Sequence, residues 1–186
     1  MLNKSTKCRI CRQPSRPFKT TCSIDCEAEL AIKLLDKKKR AEAKNVRAAD
    51  KARKEKQKTK SEHASDAQKE VNKYVKFRDW GKPCISCGTR HKFDVARDAS
   101  HFKSRGSSSF LRFNLWNLHM SCVQCNMRKG GNIAEYYPRL VKKIGQEKVD
   151  YLMNAPKSRE YSIEYLNRLK RIFAKKAKRQ EKRINS

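Results

Sequence analysis

The residues able to do chemistry crowd into one stretch, Cys84 to Asn132. Two Cys-x-x-Cys pairs, Cys84/Cys87 and Cys122/Cys125, bracket Asp98, His101, Asn117 and His119, and Asn126 follows the second pair directly. Each pair sets two thiolates on one tight turn, which is half of a tetrahedral zinc site. The polar residues between the pairs are those a metal-dependent hydrolase needs: an imidazole to move a proton, and oxygen donors for a hard cation. The stretch predicts a zinc-stapled core, and the rest of the chain is expected to serve it.

The other four cysteines pair as well. Cys8/Cys11 and Cys22/Cys26 complete the set of eight, with no thiol left over. Two structural four-cysteine zinc sites account for every one of them. The N-terminus lacks the apolar run of a secretory signal, so the expected setting is a reducing cytoplasm, where cysteines bind metal more often than they form disulfides.

Composition narrows the partner. Of 186 residues, 47 are Lys or Arg and 19 are Asp or Glu, a formal net charge of +28. That excess points to a polyanion, with DNA and RNA both open on charge alone. No long apolar run appears, so a membrane role is not expected. With 37% hydrophobic and 35% charged residues, a single large core is not expected either; small modules held by metal fit better.

The elements that must position the chemistry follow in order. Residues 8–26 read as a compact knuckle running into a helix. From Lys33 to Lys60 there are 13 Lys/Arg against 4 Asp/Glu, with alanines and no Gly or Pro. This predicts a solvated basic helix that can lie along phosphates. SEHASDAQ (61–68) is the expected hinge, with His63 an exposed linker residue. Val71, Tyr74, Val75 and Phe77 recur at near-helical spacing and should pack on the core. Two short strands, FDVARDASHF and the end of FLRFNLWNLHMSC, should then precede a helix broken near Gly130-Gly131 and closed by Gly145. Ile133, Tyr136, Tyr137, Leu140, Val141 and Ile144 form a predicted core stripe. A last helix, with Ser158 as candidate N-cap, places Tyr165, Leu166, Leu169, Ile172 and Phe173 on one side and ends in a loose basic arm, KKAKRQEKR. His91, beside the first central knuckle, is expected on the surface.

These residues carry a resemblance. The order Cys-x-x-Cys, a histidine at a strand end, an asparagine in a loop, then Cys-x-x-Cys-Asn and a following lysine resembles zinc-bound HNH (His-Me finger) endonucleases. More closely, DASHFKSRG, LRFN, NLHMSCVQCN and KGGNIAEYY are similar to the NinG/Rap family of lambdoid bacteriophages, most strongly over residues 84–140. The resemblance implies an α+β chain with a small ββα-metal (HNH, treble-clef-like) core. It also implies endonuclease action on branched DNA, Holliday junctions and D-loops, in phage recombination inside the bacterial host. The expected divisions are a zinc module over 1–30, a basic helical linker over 31–70, the nuclease domain over 71–155 and a basic helix and tail over 156–186.

Roles follow from the chemistry of phosphodiester hydrolysis. Neutral His101 can take a proton from water, since an unperturbed imidazole titrates near 6.5. Asp98 and Asn126 are the oxygen ligands assigned to a catalytic Mg²⁺ or Mn²⁺. Asn117 resembles the middle asparagine of the motif, whose amide pins the loop that orients the histidine. His119 is an alternative ligand or base, with a hydrogen-bonding role inside the knuckle ranked ahead. Arg128, Lys129, Lys103 and Arg105 are the expected contacts to DNA. Cutting both strands of a junction needs two active sites, so a homodimer is expected, with other phage or host recombination proteins as further partners. Ser100 stands where many HNH nucleases carry an acidic residue, which keeps a second reading open: a non-catalytic zinc-finger accessory factor that binds DNA. An RNA-binding zinc protein fits the charge and cysteines but gives His101, Asn117 and Asn126 no purpose, and ranks last.

Overall fold

Thr59 is where the chain changes character. Its hydroxyl accepts a hydrogen bond from Glu62 N while Glu62 Oε2 accepts one from Thr59 N at 2.8 Å, a reciprocal cap that starts a new helix. A computed structural model describes residues 7–90 and 96–185; His91 and residues 93–95 of the expected extended segment lie outside them. The chain divides into two units at this cap, Met1–Lys58 and Thr59–Ser186.

The first unit is a knuckle followed by α1 (Ile24–Lys56). Backbone bonds close the knuckle: Cys8 N to Gln13 O at 2.7 Å, Arg12 N to Cys8 O at 3.1 Å and Arg9 N to Thr20 O at 3.0 Å. Ser23 caps α1 by accepting from Cys26 N. The Arg16 guanidinium reaches the Ser23 carbonyl and Glu27, fastening the knuckle to the first turn. Thirty-three residues of α1 contain no buried side chain. Alanine, lysine and arginine sustain such a helix through propensity, with Arg53, Lys54 and Lys56 facing the negative end of its dipole.

The second unit has two apolar clusters. In the first, α2 (Lys60–Arg78) and α5 (Ile163–Asn185) pack together through Ala64, Ala67, Val71 and Val75 on one side and Leu166 and Phe173 on the other. Ala99 and Leu118 join from an antiparallel ribbon, β1 (Arg97–His101) and β2 (Leu118–Cys122), whose register pairs Ser100 with His119. The second cluster gathers Ile85, Phe102 and Leu111 against Tyr136 and Leu140 of α3 (Ile133–Ile144) and Val149 and Leu152 of α4 (Gln146–Asn154). Gly145, at φ +88, ends α3 and starts α4 in a conformation that side chains resist.

Several expectations need correction. Residues 61–68 are not a hinge: they form the first half of α2, and the interruption is at Gln57–Thr59. His63 is buried, with Nδ1 3.0 Å from Asn167 Oδ1, because small Ala64 and Ala67 let α5 approach. The cap of α5 is supplied by Ser162, whose hydroxyl accepts from Tyr165 N, and not by Ser158. The basic tail is helical to Asn185, held where Ala177 is buried. Ile133, Tyr137, Tyr165 and Ile172 lie on the outer margins of their stripes and are exposed. No helix among the described residues is long and apolar enough to cross a membrane.

Candidate functional site

Both sets of four cysteines converge. The Sγ atoms of Cys8, Cys11, Cys22 and Cys26 lie within 4.8 Å of one another, and so do those of Cys84, Cys87, Cys122 and Cys125. A zinc ion with bonds of about 2.3 Å sets tetrahedral sulfurs roughly 3.8 Å apart. Cys22 to Cys26 at 3.7 Å and Cys87 to Cys122 at 3.9 Å match that edge. Each cluster can hold zinc.

The donor chemistry agrees. Backbone N–H groups, that of Cys11 foremost, pull the Cys8 thiol down to about 6. Hydrogen bonding with Cys11 and burial push Cys22 up to about 12. In the second cluster Cys87 falls to about 6, where hydrogen bonds from Thr89 overcome burial, and burial with the neighbouring sulfurs lifts Cys125 to about 12. Four sulfurs cannot all ionise side by side without a cation, and a divalent ion removes that conflict. Gly88 (φ +73) turns the first central knuckle, with Gly88 N bonded to Cys84 O. A Cβ there would stand 3.1 Å from the Arg139 guanidinium.

Beside this cluster lies a polar cleft of about 460 Å³. His101 and Asp98 from β1 line it, with Asn126 from a π-helical turn (Gln124–Arg128) and Arg105 from the loop after β1. Gln68 and Asn72 of α2 form another wall, joined to each other by a 2.8 Å hydrogen bond. His101 Nε2 is 3.0 Å from Arg112 O. A carbonyl only accepts, so Nε2 carries the hydrogen and Nδ1 is left as the lone-pair nitrogen. Burial depresses the His101 pKa below the ordinary imidazole value, and the charges of Arg105 and Arg112 add to this against the opposing carbonyl bond. The ring is neutral at neutral pH. Asp98 Oδ1 lies 3.1 Å from Lys76 Nζ.

Asn117 is outside the cleft and fully buried. Its Oδ1 accepts from Lys103 N at 2.8 Å, and its Nδ2 donates to Lys103 O and Leu111 O. These bonds clamp both ends of the loop that carries Arg112, so Asn117 acts on His101 through the loop. Lys103 Nζ is turned to Met153 O at 2.9 Å, while Arg128 and Lys129 stand exposed at the end of the π-helical turn. His119 does not line the cleft. It is 2% exposed, with Nε2 3.0 Å from Trp116 O and its ring 6.3 Å from that of Tyr136.

The residue that sequence reading passed over is Asp79. Its carboxylate, buried beyond the end of α2, takes hydrogen bonds from Arg78 and from Met120 N, with Lys82 and Lys143 each 3.4 Å away. Burial would raise its pKa; the hydrogen bonds and charge of Arg78 and the charge of Lys143 outweigh burial and hold it far below the carboxylate range, with His119 Nδ1 3.8 Å away. Arg78 also donates to Leu118 O at 2.6 Å. One buried ion cluster therefore ties α2, β2 and α3 together. Nothing in the local string FRDW marks it, because its partners come from distant elements.

Fold and clusters define an α+β protein with two four-cysteine sites able to bind zinc and one polar cleft built on its β-ribbon. The family model described as "Bacteriophage Lambda NinG protein" matches residues 1–183, and the chain belongs to the NinG family. It is 33% identical to protein ninG of Escherichia phage lambda, over 94% of this chain and 90% of that protein. It is 32% identical to protein ninG of Salmonella phage P22, over 94% and 91%, and 32% identical to that of Escherichia phage 933W, over 92% of each. No solved structure matches it.

Proposed function

We propose that this protein is a metal-dependent endonuclease that cuts branched DNA, Holliday junctions among them, during phage recombination. The observation that carries the reading is the cleft in which neutral His101, oriented through Nε2, meets the oxygen donors Asp98 and Asn126. The order β1, β2, α3 around a four-cysteine cluster supports an HNH-type core. His101 Nδ1 is free to accept a proton from an attacking water. Asp98 and Asn126 would hold Mg²⁺ or Mn²⁺, which when bound supplies charge relief to the phosphate and the leaving oxygen. Arg105 in the cleft wall and exposed Arg128 and Lys129 attract the DNA backbone. Two copies, one per strand, suit a four-way junction; light scattering on the junction complex checks this, and one copy per junction refutes it.

Cleavage of a labelled four-way junction by wild type and His101→Ala, with Mg²⁺ or Mn²⁺, tests the reading. Wild type should cut and prefer the junction to linear duplex. His101→Ala should retain zinc and junction affinity while losing about 10²–10⁴-fold in rate, the usual range for a general base. A second reading, a DNA-binding accessory factor without catalysis, draws on the ion pair between Asp98 and Lys76. It predicts tight junction binding, with no cutting under any divalent metal.

A further inference from the structure

The loop that fixes His101 also builds a second cleft. Phe110, Phe113 and Asn114 of that loop line a hollow of about 160 Å³ with Tyr151 of α4, Arg159, Tyr161 and Tyr165. We propose that this aromatic cleft receives an unpaired base of a DNA strand, a proposal that rests on the reading of DNA as the substrate.

The evidence lies in how rings and cations are arranged. The Arg159 guanidinium sits 5.3 Å from the Tyr161 ring, 5.6 Å from Tyr165 and 5.9 Å from Phe110. Tyr161 and Tyr165 stack at 5.3 Å with planes 20° apart. Tyr151 continues the surface to Trp116, edge to face at 5.7 Å, and Lys148 Nζ lies 5.5 Å from the Trp116 ring centre. Core aromatics are hidden, yet Trp116, Tyr151 and Tyr165 are 41%, 44% and 38% exposed. Tyr161 is held from beneath, its hydroxyl donating to Phe110 O at 3.0 Å. No acidic residue lines the cleft, and Arg159 has no carboxylate partner among the described residues.

Flat rings with unpaired cations beside them match the two halves of a nucleotide: the base stacks, and its phosphate meets Arg159 or Lys148. A base inside a duplex has both faces covered by its stacked neighbours, so the cleft selects strands opened at a branch, flap or loop. Since one loop supplies Phe110 and Phe113 to this cleft and Arg112 O to His101, a strand held by its unpaired base engages the segment that orients the cutting residue.

Fluorescence anisotropy with the full-length zinc-loaded protein, without Mg²⁺ or Mn²⁺, tests the proposal using a short oligothymidylate, a blunt duplex and an oligouridylate. Tyr165→Ala and Trp116→Ala should each bind oligothymidylate about tenfold more weakly, the usual loss for one stacking ring, with duplex affinity unchanged. Tyr165→Phe, which keeps the ring, should bind as wild type. A 2-aminopurine base in the oligonucleotide should be quenched by wild type and not by Tyr165→Ala, with circular dichroism confirming the fold of each variant. Wild-type affinity in both alanine variants, or equal losses for oligothymidylate and duplex, overturns the stacking site. Preference for oligouridylate overturns its assignment to DNA. An inert protein that stacks bases would sink the endonuclease and leave this cleft standing; an active one whose Tyr165→Ala and Trp116→Ala variants both bind normally would do the reverse.

Discussion

The two cysteine clusters have the same composition but sit in different surroundings. Around the N-terminal one, Cys8 and Thr21 are the buried residues of the described part of its unit, and α1 beyond it buries nothing. The central cluster instead abuts an apolar core: Ile85, inside its first knuckle, packs with Tyr136 and Leu140, and Ser86 donates to Gly131 O. With so little apolar area to offset the entropy of ordering it, a zinc ion at its four cysteines would be the first module's main source of order. The second unit has apolar cores of its own beside its cysteine cluster.

Removing zinc breaks the comparison most sharply. Structural zinc contributes on the order of 10 kcal/mol in small cysteine modules. Hydrogen exchange followed by mass spectrometry, after chelation, should show residues 8–26 losing all protection while α2 and α5 keep most of theirs. Protection surviving in the knuckle would show that it has a core of its own.

Asp79→Ala acts on the second unit alone. Leaving Arg78 and Lys143 without their buried carboxylate should cost about 3–5 kcal/mol, seen as a lower urea midpoint, with the first unit's exchange unchanged. The pH dependence has a fixed sign. Asp79 is held below the unfolded carboxylate value of about 3.9. Its contribution is therefore present above that value and lost as pH falls through it toward the depressed folded pKa. Wild type should lose stability below about pH 4, and Asp79→Asn should show a shallower acid limb. Identical acid limbs would remove Asp79 from the account.

The smallest effect belongs to α1. Lys33 pairs with Glu29 at 2.6 Å, but both side chains are more than half exposed. Lys33→Ala should change stability by less than about 0.5 kcal/mol, while junction affinity at low salt falls through loss of one cation. A large drop in the thermal midpoint would mean that α1 packs on something.

Much of the site was legible because its chemistry is local. Cysteine spacing identified both clusters, and His101, Asp98 and Asn126 stand within short reach of the ribbon and turn that carry them into one cleft. What escaped depended on partners remote in sequence. Gln68 read as part of the hinge and Asn72 as one residue of a segment packing on the core, yet both wall the cleft because Ala64, Ala67 and Val71 on the same helix pack with α5. His63 and His119 look alike in sequence as spare histidines; burial against Asn167 in one case and Trp116 O in the other makes both structural. The loose arm expected at the C-terminus is instead helix, since one alanine in the basic run, Ala177, faces inward.

The sequence by itself determined the cysteine sets, the basic character and the order of two short strands before a helix, because spacing and charge are properties of neighbouring residues; the clamping role of Asn117 was implied by the family resemblance. Only the tertiary structure decided which nitrogen of His101 is free, which lysine faces a carboxylate, where Asp79 is buried and which aromatics stay exposed. Those outcomes depend on desolvation and on contacts between elements far apart in the chain, which no local pattern encodes.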